Sequence, residues 1–391
     1  MPTFKLENAE QIEDFVRGCT FFGTGGGGSP VYGLNILYKV FKVGKDIVVT
    51  DSNDVADDAW TTCAYGMGSI APRTPKILAE MEDLGLDKIE VDYKLSEAIK
   101  ELEDYSKVKI SSIVPLEIGG ANTPDPVATA AHSGSVVVDG DYSGGRAIPE
   151  IIQTIPHIEG KSMIPLASVD EWGNTVLLKK AANNLVAEKI GKLISILAYG
   201  NLAGNATYLL RGSEMKQLVV PGTLSKAFAA GKKLRKIKEN HYNLQEAARS
   251  LGGYFVFKGA VTSKQDEDRD GYYFGTNILE GQDEFRGHTF KIWFKNENHL
   301  SWIDDEQFVT SPDIITTFDL KSMEPTTNPR ISPGDFLGVF VFPGDRRFRS
   351  QKGLQVLGPK HFGFKSEFVP LESILEKPSI RSLAGIPLDN A

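Results

Sequence analysis

The hydrophobic and polar positions of the chain fall into three regimes. Up to about residue 180, short apolar runs alternate with amphipathic stretches. The runs "DIVVT" (46–50), "TTCAYG" (61–66), "VKISSIVPLE" (108–117), "SVVVD" (135–139) and "SMIPLASV" (162–169) have the length and residue types of buried strands. Between them, "TPKILAEMEDLG", "LSEAIKELEDY", "DPVATAAHSG" and "RAIPEIIQTI" repeat apolar residues at helical spacing. Strands alternating with helices predict βαβ units, hence an α/β fold with a mainly parallel sheet and helices on both faces. From 182 to 250 the pattern reads as helix throughout, in "NNLVAEKIGKLISILAYG", "GTLSKAFAAGKKLRKIKEN" and "NLQEAARSLGG". After Gly252-Gly253, aromatic and β-branched runs such as "YFVFKGAVTSK", "HTFKIWFKNEN" and "FLGVFVFPG" predict a β-rich, barrel- or sandwich-like unit. The expected division is therefore an α/β unit with a helical extension over 1–251 and a β-rich unit over 252–391. The stretch "TSKQDEDRDG" (262–271) reads as a charged, exposed turn.

Between the first two helical patterns lies "FGTGGGGSP", four consecutive glycines after Thr24. Ser29-Pro30 then makes a good helix start. The order helix, glycines, helix fits neither a dinucleotide fingerprint, which needs a preceding strand, nor a P-loop, which needs Gly-Lys-Ser/Thr. Thr24 and Gly25, Gly26, Gly27 and Gly28 could present backbone N–H groups to an anion or a developing oxyanion. They could equally form a tight turn where two helices pass closely.

Composition narrows the function classes. The chain has 391 residues and a net charge of −8, which argues against general nucleic-acid binding. The basic run "GKKLRKIKENH" reads as a solvated helix face. Two cysteines, Cys19 and Cys63, make no disulfide framework, and a reducing cytoplasm is the expected location. Both read as core residues. The N-terminus lacks a signal-peptide pattern, and no apolar run reaches the length of a membrane span, so no membrane association is expected. The six histidines (132, 157, 241, 288, 299 and 361) have no zinc-ligand spacing.

Open parallel sheets bind ligands beyond the carboxyl ends of their strands. There the sequence delivers Glu117 with Gly119-Gly120 and Asn122, then Asp139 with Asp141, Gly144-Gly145, Arg146 and Glu150. Asp170 and Glu171 end a third strand pattern. Such carboxylates could do general acid/base work or hold a hard divalent cation. No cofactor is otherwise assigned. In the β-rich half, Arg286, Asn296 and Glu297 interrupt apolar runs, and burying them unpaired would be costly. A cleft between the units is expected, with Glu117, Asp139 and Arg146 on its floor.

Several stretches in order resemble a family associated with hydantoinase and oxoprolinase genes, some of whose members are described as S-methyl-thiohydantoin desulfurases. They are "FGTGGGGSP", "YGMGSIAP", "PLEIGGANTPDPVATAA", "VVVDGDYSGGRAIPEI", "DEWGN", "EFRGHTFKIWFKNEN", "SPDIITTFD" and "GLQVLGPKHFGF". The family often has "DADGMGRAFPE" where this chain has "DGDYSGGRAIPE", so that loop is rebuilt. The resemblance implies a two-part architecture and chemistry on a five-membered cyclic ureide or thioureide. On that basis the expected protein is a cytosolic hydrolase of a hydantoin-like ring, with Asp139 or Asp141 activating water and Glu117 or Glu150 protonating the leaving group. Arg146, Asn122 and the Gly25–Gly28 amides would bind the small-molecule substrate. The alternatives are a metal-dependent enzyme using the same carboxylates, and a non-catalytic subunit with a hydantoinase-type partner. A homo-oligomer is also compatible with the sequence.

Overall fold

The computed structural model describes residues 2–89, 91–199, 202–240 and 243–377. His241 and residues 378–391 of the expected β-rich unit lie outside the described residues. The first sheet contains β1 (Pro2–Leu6), β2 (Ile47–Asp51), β3 (Trp60–Met67), β4 (Ile110–Pro115), β5 (Val136–Asp141), β6 (Leu166–Val169), β7 (Thr175–Leu178), β8 (Ala203–Arg211) and β9 (Val220–Pro221). Their spatial order is β1-β2-β5-β4-β3-β8-β6-β7, with β9 beside β5. The β2, β5, β4 and β3 strands are parallel neighbours. Antiparallel strands extend the sheet at both ends.

The apolar runs of the parallel strands are continuous because both of their faces are buried. Ile113 and Val137 point into one core, Val114 and Val138 into the other. The first core is covered by the helices Ala9–Phe22, Lys94–Ser106, Pro124–Ser133 and Thr223–Asn240, through residues such as Phe15, Leu95, Val127 and Leu224. The second is covered by Asn184–Leu197 and Gly212–Leu218, through Ala187, Met215 and Leu218.

The second sheet is antiparallel throughout. It contains β10 (Tyr254–Arg269), β11 (Tyr272–Gly281), β12 (Thr289–Lys295), β13 (Glu297–Ile303), β14 (Glu306–Thr310), β15 (Ile314–Asp319), β16 (Glu324–Pro325) and β17 (Phe336–Phe342). Its order is β14-β13-β12-β11-β10-β17-β15-β16. The two sheets do not have separate interiors. Phe21, near the end of the Ala9–Phe22 helix, packs edge-on against Phe318, Phe340 and Phe342. Each buried phenylalanine contributes about 1.5–3 kcal/mol, so this helix end is firmly seated in the β-rich unit. The glycine loop that follows it therefore lies between the two sheets.

Three expectations are corrected. The 182–250 stretch is not all helix, because "AGNATYLLR" forms β8 between β3 and β6. Its buried polar residues disguise it, yet they are bonded inside: Thr207 donates to the Met163 carbonyl and Asn205 to the Ala203 carbonyl. "RAIPEIIQTI" is mostly irregular, and a short helix begins only at Ile155. The charged 262–269 segment is strand, since its backbone pairs with β11 as far as Arg269↔Tyr272 while its side chains stay largely exposed.

Candidate active site

The glycine loop is fastened on both sides. The Thr24 and Gly25 carbonyls accept from the Asn298 and Asn328 N–H groups, both at 2.7 Å, in the β-rich unit. The Gly27 carbonyl accepts from Ala121 and Asn122, in the turn after β4. Two close approaches exclude side chains. A Cβ on Gly27, whose φ is +70°, would sit 2.5 Å from the Gly119 Cα. One on Gly26 would sit 2.0 Å from the Glu297 Oε1. The Gly27 N–H donates to that same oxygen at 3.0 Å. The loop does hold a carboxyl group, and it is the protein's own.

Beside this contact lies a small cavity lined by Tyr65, Glu117, Asn122, Glu188, Lys192 and Glu297, among others. Its free space is about 30 Å³, enough for roughly one or two waters. Glu117 follows β4 and reaches the cavity as the strand-end rule anticipates. Its Oε1 accepts from the Asn122 amide at 2.7 Å and its Oε2 from the Ile148 N–H at 2.8 Å. Burial pushes its carboxyl up to about 7 against the pull of those two bonds. Glu297 begins β13. Burial, reinforced by the Glu117 charge, pushes it well above the usual carboxylate range, although the Gly27 N–H, Arg146 and Lys192 oppose this. Its Oε2 is buried without a hydrogen-bond partner among the described residues, as is the Tyr65 hydroxyl.

Glu188 and Lys192 sit one turn apart on the Asn184–Leu197 helix. Glu188 accepts from the Ile151 N–H at 2.8 Å, and burial raises it to about 7. Lys192 donates to the carbonyls of Gly68 and Gly271 at 3.3 and 3.4 Å, and burial lowers its pKa. Sequence reasoning missed both, together with Tyr65. The signal was an inverted amphipathic helix: Glu188, Lys192 and Ser195 are buried while Leu185, Leu193 and Leu197 are 51%, 58% and 81% exposed.

Of the residues singled out from sequence, Glu117, Asn122, Gly27, Gly28, Asn296 and Glu297 line the cavity. The others have different surroundings. Asp139 accepts from the Ser225 hydroxyl at 2.5 Å and the Ser225 N–H at 3.0 Å, in the first turn of the Thr223–Asn240 helix. Asp141 accepts from the N–H groups of Ser143, Gly144 and Gly145; burial nonetheless raises it to about 6. Glu150 is ion-paired with Lys295 and His361, both at 2.5 Å. Burial works against that carboxylate, but these partners together lower it to about 2. Arg146 is wholly buried and spends its donors on Ala147, Ser311, Pro312, Asp313 and Asn298, which clamps the two units together. Thr24 contributes its backbone to the loop, and Asp170 orders its own turn by accepting from Asn174. The thiols of Cys19 and Cys63 are buried, and burial pushes both up. Among the described residues, no group of three or more His, Cys, Asp or Glu side chains is arranged to hold a metal ion. No helix there is long and apolar enough to cross a membrane.

A second pocket, of about 280 Å³, lies on the outer side of the glycine loop and is lined by Ser29, Ser69, Thr327 and Arg330 among others. It shares Gly28, Ile70 and Leu202 with the inner cavity. Those three residues lie where the two spaces adjoin. A larger groove of about 530 Å³ lies over β10–β12, but its acids at 266 and 267 are exposed. The small cavity gathers three carboxyls raised by burial, Glu117, Glu188 and Glu297, and perturbation in a cleft is the better pointer to chemistry.

A search of curated proteins gave no significant match. Among solved structures, a protein from Chromobacterium violaceum matches over 94% of this chain and 100% of its own, with 20% identity and a TM-score of 0.75. That likeness concerns the fold. Two family models cover nearly the whole sequence: the S-Me-THD-like N-terminal domain over residues 10–180 and the S-Me-THD-like C-terminal domain over 182–371. Their junction precedes β8, although that strand completes the first sheet. The chain belongs to the S-Me-THD-like family.

Proposed function

We propose that this protein hydrolyses a hydantoin-like five-membered ring, with an S-methyl-thiohydantoin as the leading substrate class. The observation that carries the reading is the Glu117–Glu297 pair, two buried carboxyls whose surroundings push their pKa values apart. At neutral pH, Glu297 is the proton donor and Glu117 is the group that can ionise. Water attacks the ring carbon that bears the sulfur between two nitrogens. Glu117 takes the proton of that water. The tetrahedral adduct collapses as Glu297 protonates the departing sulfur and the adduct's hydroxyl proton passes to the ring nitrogen. Methanethiol leaves, a ring carbonyl and N–H remain, and the proton held by Glu117 returns to Glu297 by exchange with solvent. The Tyr65 hydroxyl, buried without a partner among the described residues, can donate to a ring nitrogen. Each general acid or base step typically contributes about 10²–10⁴-fold.

The inner cavity has room for water but not for a ring. In this reading the ring occupies the outer pocket and its reacting edge enters past Ile70 and Leu202. Incubating the protein with S-methyl-thiohydantoins and hydantoins, while following ring absorbance and thiol release, tests the reading. A non-catalytic, ligand-binding role has one observation in its favour, the small free space of that cavity, about 30 Å³. It predicts an intact ring after prolonged incubation.

A further inference from the structure

The open groove over β10–β12 plays no part in the proposed hydrolysis, yet it is built like a ligand site. Its volume of about 530 Å³ falls within the range of roughly 300–1,000 Å³ common for small-molecule sites. Cross-strand register sets its floor. Glu267, Phe274 and Lys295 lie in one row across three strands, and Gln265, Thr276 and Trp293 in the next. His361 and Phe362 form the wall beyond β12. Phe274, Trp293 and Phe362 are only half-buried, and Trp293 lies 6.3 Å from Phe274 and 5.7 Å from Phe362 between ring centroids.

The groove is also dipolar. On the β10 side stand Glu267 and Gln265, with Arg269 paired to Glu267 at 2.9 Å; the Asp266 carboxylate lies on the other face, where it accepts from the Tyr273 hydroxyl. On the β12 side stand Lys295 and His361, both paired with Glu150. An ammonium has three N–H donors. Among the described residues, one Lys295 ammonium hydrogen bond, to Glu150, accompanies its contacts with the Tyr272 and Phe274 rings. Glu267 and Lys295 are two strand spacings apart, roughly 9–10 Å between backbones. A benzene ring bearing para substituents spans such a gap.

We propose that this groove binds small planar ligands with an anionic group at one end and a hydrogen-bond donor at the other. The ring lies on Phe274 and Trp293 against Phe362. The anion meets Lys295 and His361, and the donor meets Glu267 and Gln265. Because Arg269 and Glu150 already offset part of each end, the affinity is modest, with a Kd on the order of 0.1–1 mM.

Titration calorimetry with 4-aminobenzoate as the probe, and with benzoate and aniline as half-probes, tests this. The expected result is 4-aminobenzoate binding at one site, with benzoate and aniline each at least about tenfold weaker. Trp293→Leu removes the stacking surface. Glu267→Lys, an exposed change that leaves the core intact, reverses the charge of the donor end. Each is expected to weaken 4-aminobenzoate about tenfold or more while the thermal midpoint of Glu267→Lys stays unchanged. Absence of heat up to about 10 mM probe, equal binding of all three probes, or binding indifferent to Glu267→Lys would each overturn the proposal. Ring turnover is not read in this experiment, so its failure leaves the hydrolase reading standing.

Discussion

Replacing Gly26 by alanine should disable the site through a single methyl group. Gly26 does not have a positive φ, so alanine adds no backbone strain there. Its Cβ would lie 2.0 Å from the Glu297 Oε1, 2.6 Å from the carboxyl carbon and 2.9 Å from Cγ. Restoring an ordinary contact of 3.4 Å requires the carboxyl to withdraw by 3.4 − 2.0, about 1.4 Å. The 3.0 Å bond from the Gly27 N–H cannot survive that shift. Leaving those buried groups unpaired costs about 1–3 kcal/mol, and displacing a reacting group by about 1 Å costs on the order of 100-fold in rate. Glu297→Ala removes Cγ and the whole carboxyl group, the three atoms that crowd the methyl. The double variant should therefore be more stable than the sum of the single changes, by about 1–2 kcal/mol. Chemical denaturation of the four proteins measures the cycle, and kcat on the ring substrate follows the site. Additivity within about 0.5 kcal/mol would refute the claim that Gly26 is glycine because Glu297 is there.

Four further outcomes follow from individual groups. Glu117→Gln should lower kcat at least about 100-fold, because an amide cannot take the proton of water; unchanged turnover would remove Glu117 from the mechanism. Asp139→Asn should instead cost about 0.5–2 kcal/mol of stability, as loss of a helix cap does, with kcat within a few-fold of wild type. Glu117 and Glu188 titrate near 7 and Asp141 near 6 when folded, but near 4 when unfolded. Their stabilising contribution is complete below about pH 4 and lost as pH rises through 6 to 7. The thermal midpoint should therefore be lower at pH 8 than at pH 5.5, and Glu188→Gln should flatten that slope. Glu150 has the opposite sign: held at about 2, it stabilises above roughly pH 4 and loses that contribution as pH falls toward 2.

Much of the architecture was legible because burial on both faces writes itself as continuous Val/Ile runs, as in β2, β4 and β5. Strand β8 was not, because its buried Asn205 and Thr207, which donate to carbonyls inside the unit, look like loop residues in sequence. The 262–269 strand was hidden for the converse reason: backbone pairing with β11 holds it while its charged side chains remain in water. At the site, the strand-end rule located Glu117, and the polar break in an apolar run flagged Glu297. Asp139 and Arg146 were attractive by type and position, but types do not reveal which donors and acceptors are already spent. Ser225 occupies one and the β-rich unit occupies the other. Glu188 and Lys192 escaped because a helix that buries its charges and exposes its leucines reads inside out.

The pH dependence of kcat/KM on an S-methyl-thiohydantoin is the most direct measurement of the assigned acid and base. With Glu117 as base at about 7 and Glu297 as an acid held well above the carboxylate range, the rate should rise through pH 7 and level off, with no falling limb until alkaline pH. In Glu297→Gln the remaining rate should keep the rise through 7 but be at least about 100-fold lower. A profile flat from pH 5 to 9, a rate that falls as pH rises through 7, or a Glu297→Gln rate equal to wild type would contradict the account.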